Sequence, residues 1–190
     1  MTLASIQWPQ VSAIAAWASV IVTGGSVVVA ICFQIKNLRS TRLSNSAKMV
    51  LDLAANFNTK PMRCYRRQFG KDLLENRSNI DCRNDLPVLQ FFEDLGYMTR
   101  RGVLEKGMVW NSFFWYLEFY YPAVTASPNL LQEARKRTRS PSLYQEIEWL
   151  YLQLSQIDAK EEQKQKYEQR SDEDIELLLK DEANLDLSSS

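Results

Sequence analysis

VSAIAAWASVIVTGGSVVVAICFQI, the stretch from Val11 to Ile35, contains no Asp, Glu, Lys or Arg, and neither does anything before it back to Met1. A helix rises about 1.5 Å per residue and the hydrocarbon core of a bilayer is about 30 Å thick, so roughly 20 apolar residues suffice to cross it. The eleven Val, Ile and Phe residues of the stretch favour insertion by on the order of 3 to 7 kcal/mol. Ser12, Ser19, Thr23, Gly24, Gly25, Ser26 and Gln34 offset part of this. The stretch predicts a single N-terminal transmembrane helix.

Two other readings compete. A cleaved signal peptide has a cationic start and a shorter apolar run, whereas the first cation here is Lys36. A hydrophobic helix buried inside a domain is the plainer alternative. The residues just beyond Ile35 favour the anchor: Lys36, Arg39, Arg42 and Lys48 arrive before the first acid, Asp52. Such cations stay on the cytoplasmic side, which places the N-terminus outside and the body inside, and they are suited to contact anionic lipid headgroups.

The formal net charge is zero, with 23 basic and 23 acidic residues. That balance hides an asymmetry. Lys36 to Lys71 carries nine cations against Asp52 alone, and Ser171 to Ser190 carries seven acids against Lys180. A basic segment also suits nucleic acid, but no helix-turn-helix, zinc or single-strand-binding signature accompanies it, so no nucleic-acid partner is expected.

The rest of the chain reads as all-α. No proline falls between Pro9 and Pro61, and Leu43, Ala47, Val50, Leu51, Ala54 and Phe57 recur at helical spacing, so the anchor continues as a juxtamembrane helix. Ser40 to Ser46 is its weak place, because Ser, Thr and Asn side chains compete for backbone hydrogen bonds. A second helix starts near Pro61 with the stripe Met62, Tyr65, Phe69 and Leu73, its arginines on the remaining surface. Asn76 to Asp85 reads as a loop.

Val88, Phe91, Phe92, Leu95 and Met98 give a third helix from Pro87 to Arg101, with Gly102 as its left-handed stop. A fourth runs from Val103 to Tyr121 and ends at Pro122; its eight aromatics cannot share one stripe, so neighbours surround it or it offers a face to a partner. Ser127 with Pro128 and Ser140 with Pro141 are N-cap signals for two more helices. Leu143, Ile147, Leu150, Leu154 and Ile157 mark the second of these as coiled-coil-like, and the polar run Lys160 to Arg170 then extends it into solvent. Ser171 recaps the chain before an acidic, weakly amphipathic end; a short sorting or partner-binding motif at Glu173 to Leu178 is the alternative reading of that end.

The expected organisation is therefore 1–35 N-terminal segment and anchor, 36–59 juxtamembrane helix, 60–157 a cytoplasmic bundle of about five helices, and 158–190 a charged extension with an acidic tail.

Catalytic chemistry finds little to use. There is no histidine, the side chain most used for proton transfer near neutrality and for metal ligation. Cys32, Cys64 and Cys82 lack zinc spacing and read as packing residues. No glycine-rich phosphate loop is present. Glu93, Asp94, Glu105 and Glu118 with Arg100 and Arg101 are the acid and base candidates, and Glu93 and Arg100 share a helical face, yet acids beside apolar stripes usually face water or cap helices. No cofactor, metal or enzyme activity is expected.

LPVLQFFEDLGYMTRRG, Leu86 to Gly102, followed by the helix with Trp110 and Trp115 and by YQEIEWL, Tyr144 to Leu150, resembles a bacterial family of small membrane-anchored helical proteins described only as a domain of unknown function. The resemblance covers Val11 to Leu154. It implies one N-terminal anchor and an all-helical cytoplasmic domain at the bacterial inner membrane, and it carries no activity. The motif is densest at Phe91, Phe92, Glu93, Gly96, Arg101, Gly102, Trp110, Trp115, Glu148 and Trp149, candidate interaction or structural residues.

The function expected is a scaffold or regulatory interaction module, engaging membrane lipid and a protein partner or a second copy. The alternative is a membrane-perturbing effector in stress or antiviral defence, assembling through the small-residue rows Ala15, Ser19, Thr23 and Ala18, Val22, Ser26, Ala30. An enzyme acting on a lipid or nucleotide at the membrane comes third.

Overall fold

The computed structural model describes residues 8–75, 82–126, 129–161, 163 and 167–185, and the side chains of these apart from 8–32 and 82–86. Among the described residues there are seven helices and no strand: α1 (Trp8–Phe57), α2 (Lys60–Glu75), α3 (Cys82–Arg100), α4 (Lys106–Thr125), α5 (Leu130–Thr138), α6 (Gln145–Glu161) and α7 (Asp172–Ala183). The chain divides into two units, 1–44 and 45–190.

The first unit is α1 as far as Ser44, helical through the whole of Val11 to Ile35. Its described side chains, from Phe33 onward, are all exposed, Lys36, Arg39 and Arg42 among them. Among the described residues no helix is long and apolar enough to cross a membrane. The side chains of the predicted anchor as far as Cys32, and with them both small-residue rows, lie outside the described ones. Ser40 to Ser46 does not interrupt α1.

The second unit is a helical bundle whose members derive from the stripes. α2 packs against α3 and α7, α3 against α6, and α4 against α5, α6 and α7. Its centre is aromatic. Phe57 at the end of α1 meets Phe91, Phe92, Phe113 and Tyr116 with ring centroids 4.7 to 6.1 Å apart. Each fully buried ring of this kind stabilises the fold by about 1.5 to 3 kcal/mol.

Several boundaries differ from expectation. α4 begins one turn late, after Glu105, whose carboxylate accepts from the Met108 N–H as an N-cap, and it runs through Pro122 to Thr125. A proline costs a helix its hydrogen bond to the preceding turn, but burial of Ala123 and Val124 carries the helix one turn past it. Ser140 and Pro141 open a turn rather than a helix, and α6 starts at Gln145 after Tyr144, which is buried with φ 58°. Ser127 and Pro128 lie outside the described residues, as do 76–81 of the predicted loop, while the rest of that loop is helical, α3 starting at Cys82 with Pro87 inside its first turns; Asn129 is the N-cap of α5.

The largest difference concerns the C-terminal end. The helix after Ile157 does not run on into solvent: it ends at Glu161, Ser171 caps α7, and α7 packs against α2 and α4 with Ile175 and Leu179 in the core. The bundle therefore draws on six helices after α1 and includes the acidic end. Turned back in this way, α7 covers apolar surface of α2 and α4 with Ile175 and Leu179.

Candidate functional site

Among the described residues the buried charged side chains Arg66, Glu118 and Glu182, with the half-buried Glu93, form three clusters. The first is built around Arg66, on the face of α2 between Met62 and Phe69, and only 2% exposed. Its Nε donates to Glu182 Oε2 at 2.9 Å, and its Nη2 donates to the other oxygen of the same carboxylate. Nη1 donates to the Phe57 carbonyl at 3.3 Å and to Asn58 Oδ1 at 3.4 Å, so the guanidinium also ties off the end of α1. Its Cζ lies 4.3 Å from the Phe57 ring centroid and 4.7 Å from that of Tyr116. On α4, Tyr120 donates its hydroxyl to Glu182 Oε2 at 2.7 Å.

Burial alone would lower the pKa of Arg66, but the hydrogen bonds and charge of Glu182 outweigh it and hold the guanidinium more firmly protonated than usual. Burial and the neighbouring Glu182 push the Tyr120 phenol well above its ordinary value. This phenol is a fixed donor.

The second cluster is Glu118 on α4, 3% exposed. Arg170 donates to both of its oxygens, at 2.8 and 3.1 Å, and Tyr167 donates at 3.3 Å. Burial raises the Glu118 pKa against the opposing pull of Arg170. The third is Glu93 on α3, whose Oε2 accepts from the Glu146 and Ile147 N–H groups at 2.9 and 3.0 Å. It caps α6 from another helix, replacing the cap that Ser140 was expected to supply. Burial raises the Glu93 pKa as well, opposed by these two N–H donors.

The motif residues divide by role. Phe91 and Phe92 are core, and Gly96 is where α3 crosses α6: a Cβ there would stand 2.5 Å from the Glu146 carbonyl oxygen. Gly102, with φ 70°, ends the segment after α3 as predicted. Trp110 donates from Nε1 to Asp158 at 3.1 Å. Trp149 lies between Arg100 and Lys106, 5.7 and 5.2 Å from its ring. Glu148 pairs with Arg135 at 3.5 Å. Arg101 is exposed over Tyr97, and Trp115 is 56% exposed beside Phe119 and Arg170. Glu93 and Arg100 do not pair with each other; Arg100 reaches Glu146 at 3.0 Å instead. Lys36, Arg39, Arg42 and Lys48 are all exposed along α1, and Cys64 is exposed rather than packed.

Arg66, Glu182, Tyr120 and Arg170 escaped the sequence reading. Two of them carried a signal. Arg66 is four residues after Met62 and three before Phe69, and Glu182 is three after Leu179, so each stands on an apolar stripe where a lone charge needs a partner.

A concavity of about 620 Å³ opens between α2, α4 and α7, lined by Leu73, Pro122, Thr125, Asp172, Ile175 and Glu176 among others. Asp172 and Glu176 are exposed there, and Glu176 already pairs with Lys180 at 2.7 Å. No group of side chains able to hold a metal ion occurs among the described residues. The arrangement can brace helices and hold fixed protons; Glu118 and Glu182 are committed to arginine and tyrosine, and Glu93 to a helix end.

The family model described as Domain of unknown function (DUF4760) matches residues 20–154, more than half of the chain, and the chain belongs to that family. Neither a curated protein nor a solved structure matches it.

Proposed function

We propose, with membership of this family as the premise, that the chain is a single-pass membrane protein of the bacterial inner membrane. Its helical bundle serves at the cytoplasmic face as a non-catalytic scaffold or regulatory interaction module. The observation that carries the reading is α1, helical without a break from Trp8 through the uncharged stretch to the exposed Lys36, Arg39 and Arg42. Apolar helix followed at once by exposed cations is the pattern of an anchor with its body in the cytoplasm, and the cations suit anionic headgroups.

The non-catalytic part rests on how the ionisable groups are used. The buried Glu118 and Glu182 and the half-buried Glu93 each brace two elements, and none lines the open concavity. The exposed Trp115, Tyr97 and Leu152 leave aromatic and aliphatic surface for a protein partner.

The test is membrane fractionation of the full-length chain in bacteria, combined with alkaline phosphatase fused to either end. The chain is expected in the carbonate-resistant membrane fraction, with phosphatase active at the N-terminus and inactive at the C-terminus. Recovery in the soluble fraction, or an active C-terminal fusion, overturns the reading.

A further inference from the structure

α7 is held by contacts specific to it. Glu182 engages Arg66 and Tyr120, Ile175 and Leu179 are buried, and Gly70 on α2 lets the α7 backbone approach so closely that a Cβ there would stand 3.1 Å from the Leu179 carbonyl oxygen. Without α7 the Arg66 guanidinium and the Tyr120 phenol would lose the carboxylate they share. The groove suits an acidic helix. It also lies within the residues the family shares, whereas α7 lies beyond them, since the match ends at residue 154.

The connection that returns α7 to its groove opposes its own sequence. Ala159 to Arg170, AKEEQKQKYEQR, holds no glycine or proline and is made almost wholly of strong helix formers. Yet α6 ends at Glu161 and Gln163 has φ 55°, in the left-handed region that costs a residue with a Cβ roughly 1 kcal/mol or more. Local preference favours a straight continuation of α6. The docking of α7, together with Tyr167 and Arg170 on Glu118, favours the bend.

We infer that α7 is exchanged between copies: in a pair of chains, the α2–α4 groove of each receives the α7 of the other, and Gln163 returns to right-handed helix. The exchanged pair keeps every contact of the groove and sheds the strain at Gln163, which is the physical basis of swapping an element across a strained hinge. Charge favours the same occupant. α7 carries six acids against Lys180, and α2 carries five cations against Asp72 and Glu75. The exchange does not depend on whether α1 crosses a membrane.

The experiment uses full-length chains in mild detergent. Arg66→Glu with one tag and Glu182→Arg with a second each set like charges against one another in their own groove. Co-expressed, they restore both ion pairs, but only across copies. Capture of the mixed pair is expected to exceed capture of either variant with its own kind by at least about tenfold, and equal capture overturns the inference.

Because both variants could fail to accumulate, the hinge is tested separately by light scattering on otherwise wild-type chains. Gln163→Gly accepts the bend and weakens the straight helix, so the dimer-to-monomer ratio is expected to fall about fivefold, while Gln163→Ala raises it. A ratio unchanged by both substitutions, or a wild-type chain that is monomeric at every concentration, overturns the inference.

Discussion

Arg66 and Glu182, 116 residues apart in sequence, meet as a two-pronged ion pair sealed from solvent, with the Phe57 carbonyl and the Tyr120 hydroxyl completing the set. The pair joins the end of α1, α2, α4 and α7 at one point. Removing one partner leaves the other charged and desolvated, which costs about 3 to 5 kcal/mol, whereas replacing both with apolar side chains of similar volume is often neutral. Glu182→Ala is therefore expected to lower stability by about that amount, and Arg66→Met with Glu182→Leu to recover most of it. Urea denaturation followed by tryptophan fluorescence measures both. A single variant less than about 1 kcal/mol below wild type would show that Arg66 finds other partners.

Gly96 and Gly102 are needed for different reasons. At Gly96 a methyl group meets backbone rather than a movable side chain, at 2.5 Å from the Glu146 carbonyl, and α3 and α6 must separate to admit it. Gly96→Ala is expected to cost about 1 to 3 kcal/mol and to weaken the Glu93 cap of α6. Gly102 has open space around it and only its φ of 70° to protect, so Gly102→Ala costs about 1 kcal/mol. Amide exchange separates the two: α6 loses protection in the first variant and keeps it in the second. Equal protection in both would contradict the close crossing.

Phe113 and Trp115 lie two residues apart on α4, one 1% exposed and the other 56%. Truncating the buried ring to alanine is expected to cost about 3 to 5 kcal/mol. The exposed Trp115→Ala should stay within about 1 kcal/mol of wild type while weakening any partner that uses this surface. Thermal unfolding of the two variants checks the contrast, and a Trp115→Ala loss as large as that of Phe113→Ala would mean the tryptophan is structural.

Glu118 and Glu93 both have pKa values raised by burial, against the pull of Arg170 in one case and of the α6 N–H groups in the other. A carboxyl whose pKa is higher in the folded state holds its proton more tightly there, so its contribution is greatest below the unfolded value, about 4.3, and is lost as pH rises toward the folded one. Stability should therefore decline with rising pH just above that value. Glu118→Gln removes one proton's share of the decline, at most about 1.4 kcal/mol per pH unit. Denaturation midpoints measured from pH 4 upward test this; a variant with the wild-type slope would show that Glu118 does not titrate there.

The elements that were legible beforehand are those whose cause is local. Helical spacing places Phe91, Phe92 and Leu95 on one buried face, Gly102 marks a left-handed stop, and Ser171 caps the last helix, because each depends on residues within a turn or two. Composition likewise excluded histidine chemistry without any coordinates.

What only the tertiary structure decided is where each charge ends up. Arg66 sits on an apolar stripe, but whether a stripe buries an arginine depends on a carboxylate that arrives from α7, and Glu93 turns from a surface acid into a helix cap only because α6 begins beside it. The acidic end became part of the bundle for the same reason. Periodicity is written into neighbouring residues, whereas the compensation of a buried charge comes from distant ones and exists only once the helices are packed.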